Sequence, residues 1–320
     1  MDRRQVTLAL GALAAAWLAA GRTAQSAPPP AARPEPAAPA RPLKLVASTA
    51  ELAHLAAACA GARAAVLALV PAAASAEDYV VRSEDAQRVA GADVVVRVGL
   101  DYDLWLDRLL AKRARSEQTV ADCSRYVAPL KVRAGGLTAH RGHAHGSGNP
   151  HYWLDPENVR LMTAEIVLAL SAADAAGAEF YREQREHALA ELTVRTPQWT
   201  ARVARLRVPP VLAYHDTWPY FARRFGLRVV GVIEQRPGVP PGPAQLASLL
   251  ATARSRSVGA VVVDVNDATR DAQFLATRLG VPLVRLTSQA PAAQGTATGL
   301  AQFARIFEHN VAALEQSFTA

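Results

Sequence analysis

A chain of 320 residues is long enough for two ordinary domains, each with its own core, which excludes a peptide or a small disulfide-stapled scaffold. Hydrophobic residues at 51% against 20% charged exclude a largely disordered chain. The formal charge of +7 raises nucleic acid as a partner, but basic residues such as Arg202, Arg205 and Arg207, or Arg223 and Arg224, are dispersed without interleaved aromatic residues, so no nucleic-acid footprint is implied.

The first 27 residues carry Arg3 and Arg4, an apolar run from Val6 to Ala20, and small residues up to Ala27. This three-part pattern predicts a cleaved export signal and hence an exported protein. The apolar run is shorter than the ~20 residues of a spanning helix, and no later stretch is both long and charge-free enough, so the protein is not expected to span a membrane. Residues 28–42 are almost entirely Pro and Ala and predict a stiff extended tether. In an exported compartment the only two cysteines, Cys59 and Cys123, can pair or stay apart, because sequence does not give their separation.

From residue 43 short apolar, β-branched runs alternate with helical patterns. LKLVAS, AAVLALV (64–70), ADVVVRVG (92–99) and YVAPLKV (126–132) read as strands of a parallel sheet, with ELAHLAAACAGAR and DYDLWLDRLLAKRARS as helices. Residues 43–155 thus form an N-terminal α/β lobe, which includes a histidine-rich loop at 140–151. Asp155 before Pro156 is a helix start, with the carboxylate as N-cap and proline at the first helical position. Residues 156–207 then hold a short helix and a long one, roughly 174–206, kinked at Pro197 and serving both lobes as a backbone. After residue 208 the alternation repeats through VLAYH (211–215), LRVVGVI (227–233), AVVVDV (260–265) and PLVRLT (282–287), a C-terminal lobe at 208–320. The fold class is α/β: two four-stranded parallel-sheet lobes, a long helix between them, and a site in the inter-lobe cleft.

Ligands of open α/β sheets bind outside the carboxyl ends of the strands. The polar residues there are Glu77 and Asp78, His215 and Asp216, Asp264 and Thr287, and His151 lies between the first lobe and the Asp155 helix start. Four of the eight histidines, His140, His143, His145 and His151, fall in the segment HRGHAHGSGNPH. Neutral imidazole is the commonest metal ligand, so a metal site is indicated. His151, against a helix start, reads as the fixed ligand, whereas His140, His143 and His145 in a Gly- and Ser-rich loop read as transient metal collectors. Glu77 reads either as a solvated loop carboxylate or as an oxygen ligand, and as a ligand it would complete with the two imidazoles an N2O set suited to zinc or a neighbouring divalent metal. His54, His187 and His309 sit in helical stretches and read as structural. Trp153, Trp218, Tyr152 and Tyr214 read as cleft walls. G-x-S-x-G, P-loop and H-E-x-x-H patterns are absent from the sequence, which removes support for the standard serine hydrolase, P-loop and zincin readings.

The segments EDYVVRSEDAQRVAGADVVVRVGLDYDLWL, NPHYWLDPENV and AYHDTWPYFARRFGL, in that order, resemble the periplasmic zinc- and manganese-type solute-binding proteins of metal ABC importers. The resemblance covers Leu43 to about Phe318. It implies a metal held between the lobes by a first-lobe histidine, a second histidine in H-x-W-L-D-P, a third ligand in Y-H-D and often a carboxylate late in the second lobe. His151 and His215 match directly. Glu77, before Asp78 and Tyr79, stands where histidine is usual, and Thr287 stands where aspartate is often found. Asp264 matches an acidic position near the cleft that is not usually a ligand and ranks below Glu77. The implied function is capture of a divalent transition metal, zinc first and manganese or another ion second, by a non-enzymatic, monomeric, periplasmic protein that delivers it to a membrane ABC permease. The rival readings are a metal-dependent hydrolase and a surface interaction protein of the same fold with weakened metal binding.

Overall fold

The computed structural model describes residues 41–72, 74–77, 79–112, 117–130, 148–235, 239–267, 270–290 and 299–318. The expected export signal, most of the tether, Asp78, and His140, His143 and His145 of the histidine-rich loop lie outside the described residues. At the tether's end, both guanidinium nitrogens of Arg41 donate to Asp93, at 2.7 and 2.8 Å.

Strand β1 (Leu43–Ala47) leads into helix α1 (Ala50–Ala60), which starts where the Thr49 hydroxyl accepts the Leu52 N–H. Gly61 closes it at φ +52, and a Cβ there would stand 2.9 Å from the Phe180 ring, so glycine is required both by conformation and by space. Strand β2 (Ala64–Ala68), helix α2 (Ser83–Ala90), strand β3 (Val94–Arg97), helix α3 (Trp105–Leu110) and strand β4 (Thr119–Asp122) complete the first sheet. Its order is β2-β1-β3-β4, all parallel. The fourth strand is TVAD and not the expected 126–132. Pro129 explains the difference: it has no N–H for a ladder, and residues 126–130 form a turn and irregular chain.

Helix α4 (Pro156–Ala173) begins as the sequence predicts, with the Asp155 side chain accepting the Glu157 N–H. Helix α5 (Ala178–Arg205) runs 28 residues, about 42 Å at 1.5 Å per residue, and passes through Pro197, which is exposed. Strand β5 (Val211–Ala213), helix α6 (Pro219–Phe225), strand β6 (Val229–Val232), helix α7 (Pro243–Ser255), strand β7 (Ala260–Asp264), helix α8 (Arg270–Leu279) and strand β8 (Leu283–Leu286) repeat the first pattern in the order β6-β5-β7-β8, again all parallel. Helix α9 (Gly299–Phe318) ends the described chain.

Strand alternation divides the core. Val94, Val96, Val211, Val262 and Val284 enter one cluster that runs through both sheets, with Trp199, Phe303 and Phe307 inside it. Val46 and Val95 face a separate layer beneath Leu106, and Val261 and Val263 face another beneath Leu275. The shared cluster is closed by α9, which packs on α1 and α5 as well as on β8; Gly299 approaches Ala58 so closely that a Cβ would lie 3.4 Å from its methyl. The final helix therefore belongs to both halves, beyond the C-terminal lobe expected for it. Cys59 and Cys123 are both buried free thiols. Among the described residues no helix is long and apolar enough to cross a membrane.

Both sheets reverse their winding direction beside their first strand, between β1 and β3 and between β5 and β7. Such switch points open a crevice at the strands' carboxyl ends. The residues beyond these ends form the candidate site.

Candidate metal centre

His151 is set by its neighbours in sequence. The Tyr152 hydroxyl donates to the Val98 carbonyl at 2.5 Å, anchoring the segment just beyond β3. Asn149, 2% exposed, accepts the His151 N–H on Oδ1 at 3.1 Å and donates from Nδ2 to the Asp216 carbonyl at 2.6 Å. The Tyr220 hydroxyl donates to the Asn149 carbonyl at 2.9 Å. One asparagine thus ties the His151 segment to the residue after His215. The His151 ring is walled by Trp153 and Tyr102, with centroids 5.2 and 5.5 Å away. Tyr102 reaches this position through a sharp turn in which Gly99, Leu100 and Asp101 all have positive φ.

Glu77 stands beside it, with Oε1 3.4 Å from His151 Nε2. Its loop is fastened at two carbonyls: Ala76 O accepts the Trp105 indole N–H at 2.9 Å, and Ala74 O accepts a Gln289 side-chain N–H at 2.8 Å. Glu77 and His151 have side chains 14% and 13% exposed, buried enough to be fixed and open enough to meet an ion.

His215 follows β5, as the sequence predicts, edge-on to Tyr214 at 4.9 Å. Its two nitrogens face different carboxylates: Nδ1 is 2.7 Å from Glu234 Oε2, and Nε2 is 3.5 Å from Asp267 Oδ1. Glu234, 7% exposed, follows β6 and donates its backbone N–H to the Tyr214 carbonyl at 2.8 Å. A carboxylate on one imidazole nitrogen fixes the tautomer and leaves the other for an ion. Burial, reinforced by neighbouring Asp264 and Glu234, pushes the Asp267 carboxyl up to about 7 against the pull of the Asp264 N–H.

Asp264 ends β7 and is committed to backbone: Oδ1 accepts the Asn266 N–H at 3.0 Å and Oδ2 the Ser288 N–H at 2.7 Å. Thr287 is 3% exposed and turned against α9, its N–H on Asn310 Oδ1 at 2.7 Å and its hydroxyl donating to the Gln289 carbonyl at 2.7 Å.

The structure thus brings Glu77 to His151, and His215 to Glu234 and Asp267. Among the described residues no group of three or more His, Cys, Asp or Glu side chains meets the geometry for holding one ion. Glu234 and Asp267 are absent from the sequence-based set. Glu234 carries the same signal as the others, a polar residue just past a strand; Asp267 lies three residues past a strand end, and only the turn back onto β7 shows its direction.

Comparison with known proteins agrees with this architecture. The zinc uptake protein ZnuA of Brucella abortus is 25% identical over 228 residues, covering 61% of this chain and 68% of that protein. The manganese-binding lipoprotein MntA of Halalkalibacterium halodurans is 26% identical over 225 residues, covering 69% and 71%. A crystal structure of ZnuA superposes with a TM-score of 0.70 at 21% identity, over 86% of this chain and 97% of that one. The model of the family described as "Zinc-uptake complex component A periplasmic" matches residues 45–317, and the chain belongs to that family of periplasmic metal-binding, solute-binding proteins.

Proposed function

We propose that the protein captures a divalent transition metal, zinc first, in the periplasm and passes it to a membrane ABC permease. Glu77, His151 and His215 are the ligands of this reading, with Glu234 orienting His215 and Asp264 left to hold the turn after β7 to the segment after β8. The carrying observation is the 3.4 Å between Glu77 Oε1 and His151 Nε2. Two ligands at 2.0–2.1 Å from a tetrahedral zinc are about 3.4 Å apart, so this pair already spans one edge of such a site. The ion then recruits His215 from the second lobe. Two imidazoles favour zinc over manganese, and the carboxylate admits harder ions as competitors. The relatives' names, one of zinc uptake and one of manganese binding, support the same pair of ions. His140, His143 and His145 act as collectors that raise the local ion concentration.

A same-fold interaction protein with weak metal affinity is favoured by one observation, the replacement of a late carboxylate by the inward-turned Thr287. Calorimetric titration of chelator-stripped protein with zinc and then manganese, with and without residues 140–148, separates the two. The expected result is one tight zinc site that survives the loop deletion and is lost in a His151→Ala, His215→Ala double variant. Binding that vanishes with the loop, or persists in the double variant, overturns the ligand assignment.

A further inference from the structure

The segment after β8, Thr287 to Ala290, supplies no carboxylate to the cleft, yet nearly every polar group along it is spent on a contact. Thr287 and Asn310 exchange two bonds, Thr287 N–H to Oδ1 at 2.7 Å and Asn310 Nδ2 to the Thr287 carbonyl at 2.9 Å, which pins the segment's start to α9. Ser288 donates to Asp264 within its own lobe at 2.7 Å. Three further bonds cross to the first lobe. The Ser288 carbonyl accepts the Trp153 indole N–H at 2.8 Å, the Ala290 N–H reaches the buried carboxylate of Glu51 at 3.2 Å, and Gln289 Nε2 donates to the Ala74 carbonyl at 2.8 Å.

The last of these bears on the metal. Ala74 is three residues from Glu77 in a loop that is also fastened from the first lobe, where the Trp105 indole donates to the Ala76 carbonyl. Gln289 is therefore a point at which the second lobe grips the Glu77 loop. Its backbone is held at both ends, the Gln289 carbonyl accepting the Thr287 hydroxyl at 2.7 Å and the Gln289 N–H donating to the same hydroxyl oxygen at 3.2 Å, and its side-chain oxygen accepts from Asn266 Nδ2 at 3.5 Å.

We infer that Gln289 is a positioning residue for metal capture: through the Ala74 carbonyl it holds Glu77 against His151, so that loss of its donor shortens the residence of the bound ion. This rests on the ligand reading given above for Glu77. The strap replaces direct ligation from the end of β8 with indirect control of a ligand on the opposite lobe.

The test is a double-mutant cycle on zinc affinity, by chelator competition, and on zinc dissociation rate, by stopped-flow transfer to a chelator. Gln289→Leu removes the donor, and Gln289→Glu keeps the shape but places a carboxylate against the Ala74 carbonyl. Each is expected to weaken zinc binding by about three- to tenfold, the size of one lost hydrogen bond, chiefly through faster dissociation. In a Glu77→Gln background the same changes are expected to have no further effect, whereas a purely structural strap would weaken both backgrounds equally. The inference is overturned if Gln289→Glu, folded by circular dichroism, binds zinc like the parent, or if the losses add to that of Glu77→Gln. If Glu77→Gln itself leaves affinity and dissociation untouched, the ligand reading fails at Glu77 and the inference fails with it; a loss in Glu77→Gln alone leaves that reading standing and sinks only the role of Gln289.

Discussion

Cys59 and Cys123 are 0% and 1% exposed, and burial pushes the Cys59 thiol up to about 12 against a small opposing pull from Arg185. A thiol reacts as the thiolate, so neither is expected to be alkylated in the folded protein at a pH of about 8.5, where a free thiol is half ionised. Both should react once denaturant is added, and labelling of native protein would contradict their burial. Asn149 serves the site differently, by joining three chain segments through its side chain and carbonyl. Asn149→Ala leaves the Asp216 carbonyl and the His151 N–H without this partner, and a loss of about 1–3 kcal/mol in urea unfolding is expected. At this scale the placement of His151, His215 and Glu77 was legible, since each lies beyond a strand or against a helix start, while their role as ligands stays a proposal. Glu234 carries the same strand-end signal and was passed over, whereas Asn149 and Asp267 were not legible, because their roles arise from which nitrogen or carbonyl they face, and no spacing encodes that.

Helices α5 and α9 are joined by a charged clamp. Arg202 donates to Glu308 at 2.6 Å and, through two nitrogens, to Glu315 at 2.9 and 2.7 Å, while the Trp199 indole also donates to Glu308. Burial would raise the Glu308 carboxyl, but the Arg202 and Trp199 bonds outweigh it and hold it below its usual range; the Arg202 bond does the same at Glu315. Carboxyls depressed in the folded state add stability above their unfolded pKa, and that stability is lost as pH falls through the lower folded values. The thermal midpoint of Arg202→Ala should therefore lie below that of the parent at neutral pH, and the gap should close below about pH 4, the unfolded range of glutamate. A gap that is constant with pH would assign the clamp's effect to packing alone. Seven of the eight strands were legible because they read as largely apolar runs, as parallel strands do, including the half-exposed edge strand β2. The eighth, TVAD, is short and partly polar, and an apolar run with Pro129 inside competed with it. The return of α9 to α1 was hidden because an amphipathic helix shows which face is buried and not which element covers it.

The shared core sets the behaviour of the whole molecule. Because one apolar cluster includes residues of both sheets, α1, α5 and α9, neither half can expose its inner face without the other. One unfolding transition is expected, with calorimetric and van't Hoff enthalpies in agreement, and two resolved transitions would show that the halves are separable. Zinc that binds only the folded protein should raise the midpoint by an amount equivalent to about 2.7 kcal/mol at a hundredfold excess over Kd, and the His151→Ala, His215→Ala variant should show no such rise.

The proline within α5 has a consequence for how this molecule breathes. Pro197 carries no amide hydrogen, so the Thr193 carbonyl one turn earlier receives no helix bond from it, on a face open to water. The longest helix among the described residues is thus two segments meeting at a weak turn. In deuterated water the amides beside that turn should exchange ahead of those around Leu189 and Val203, which are buried in the core, and peptide-resolved mass spectrometry would record a notch in protection within the C-terminal half of the rod.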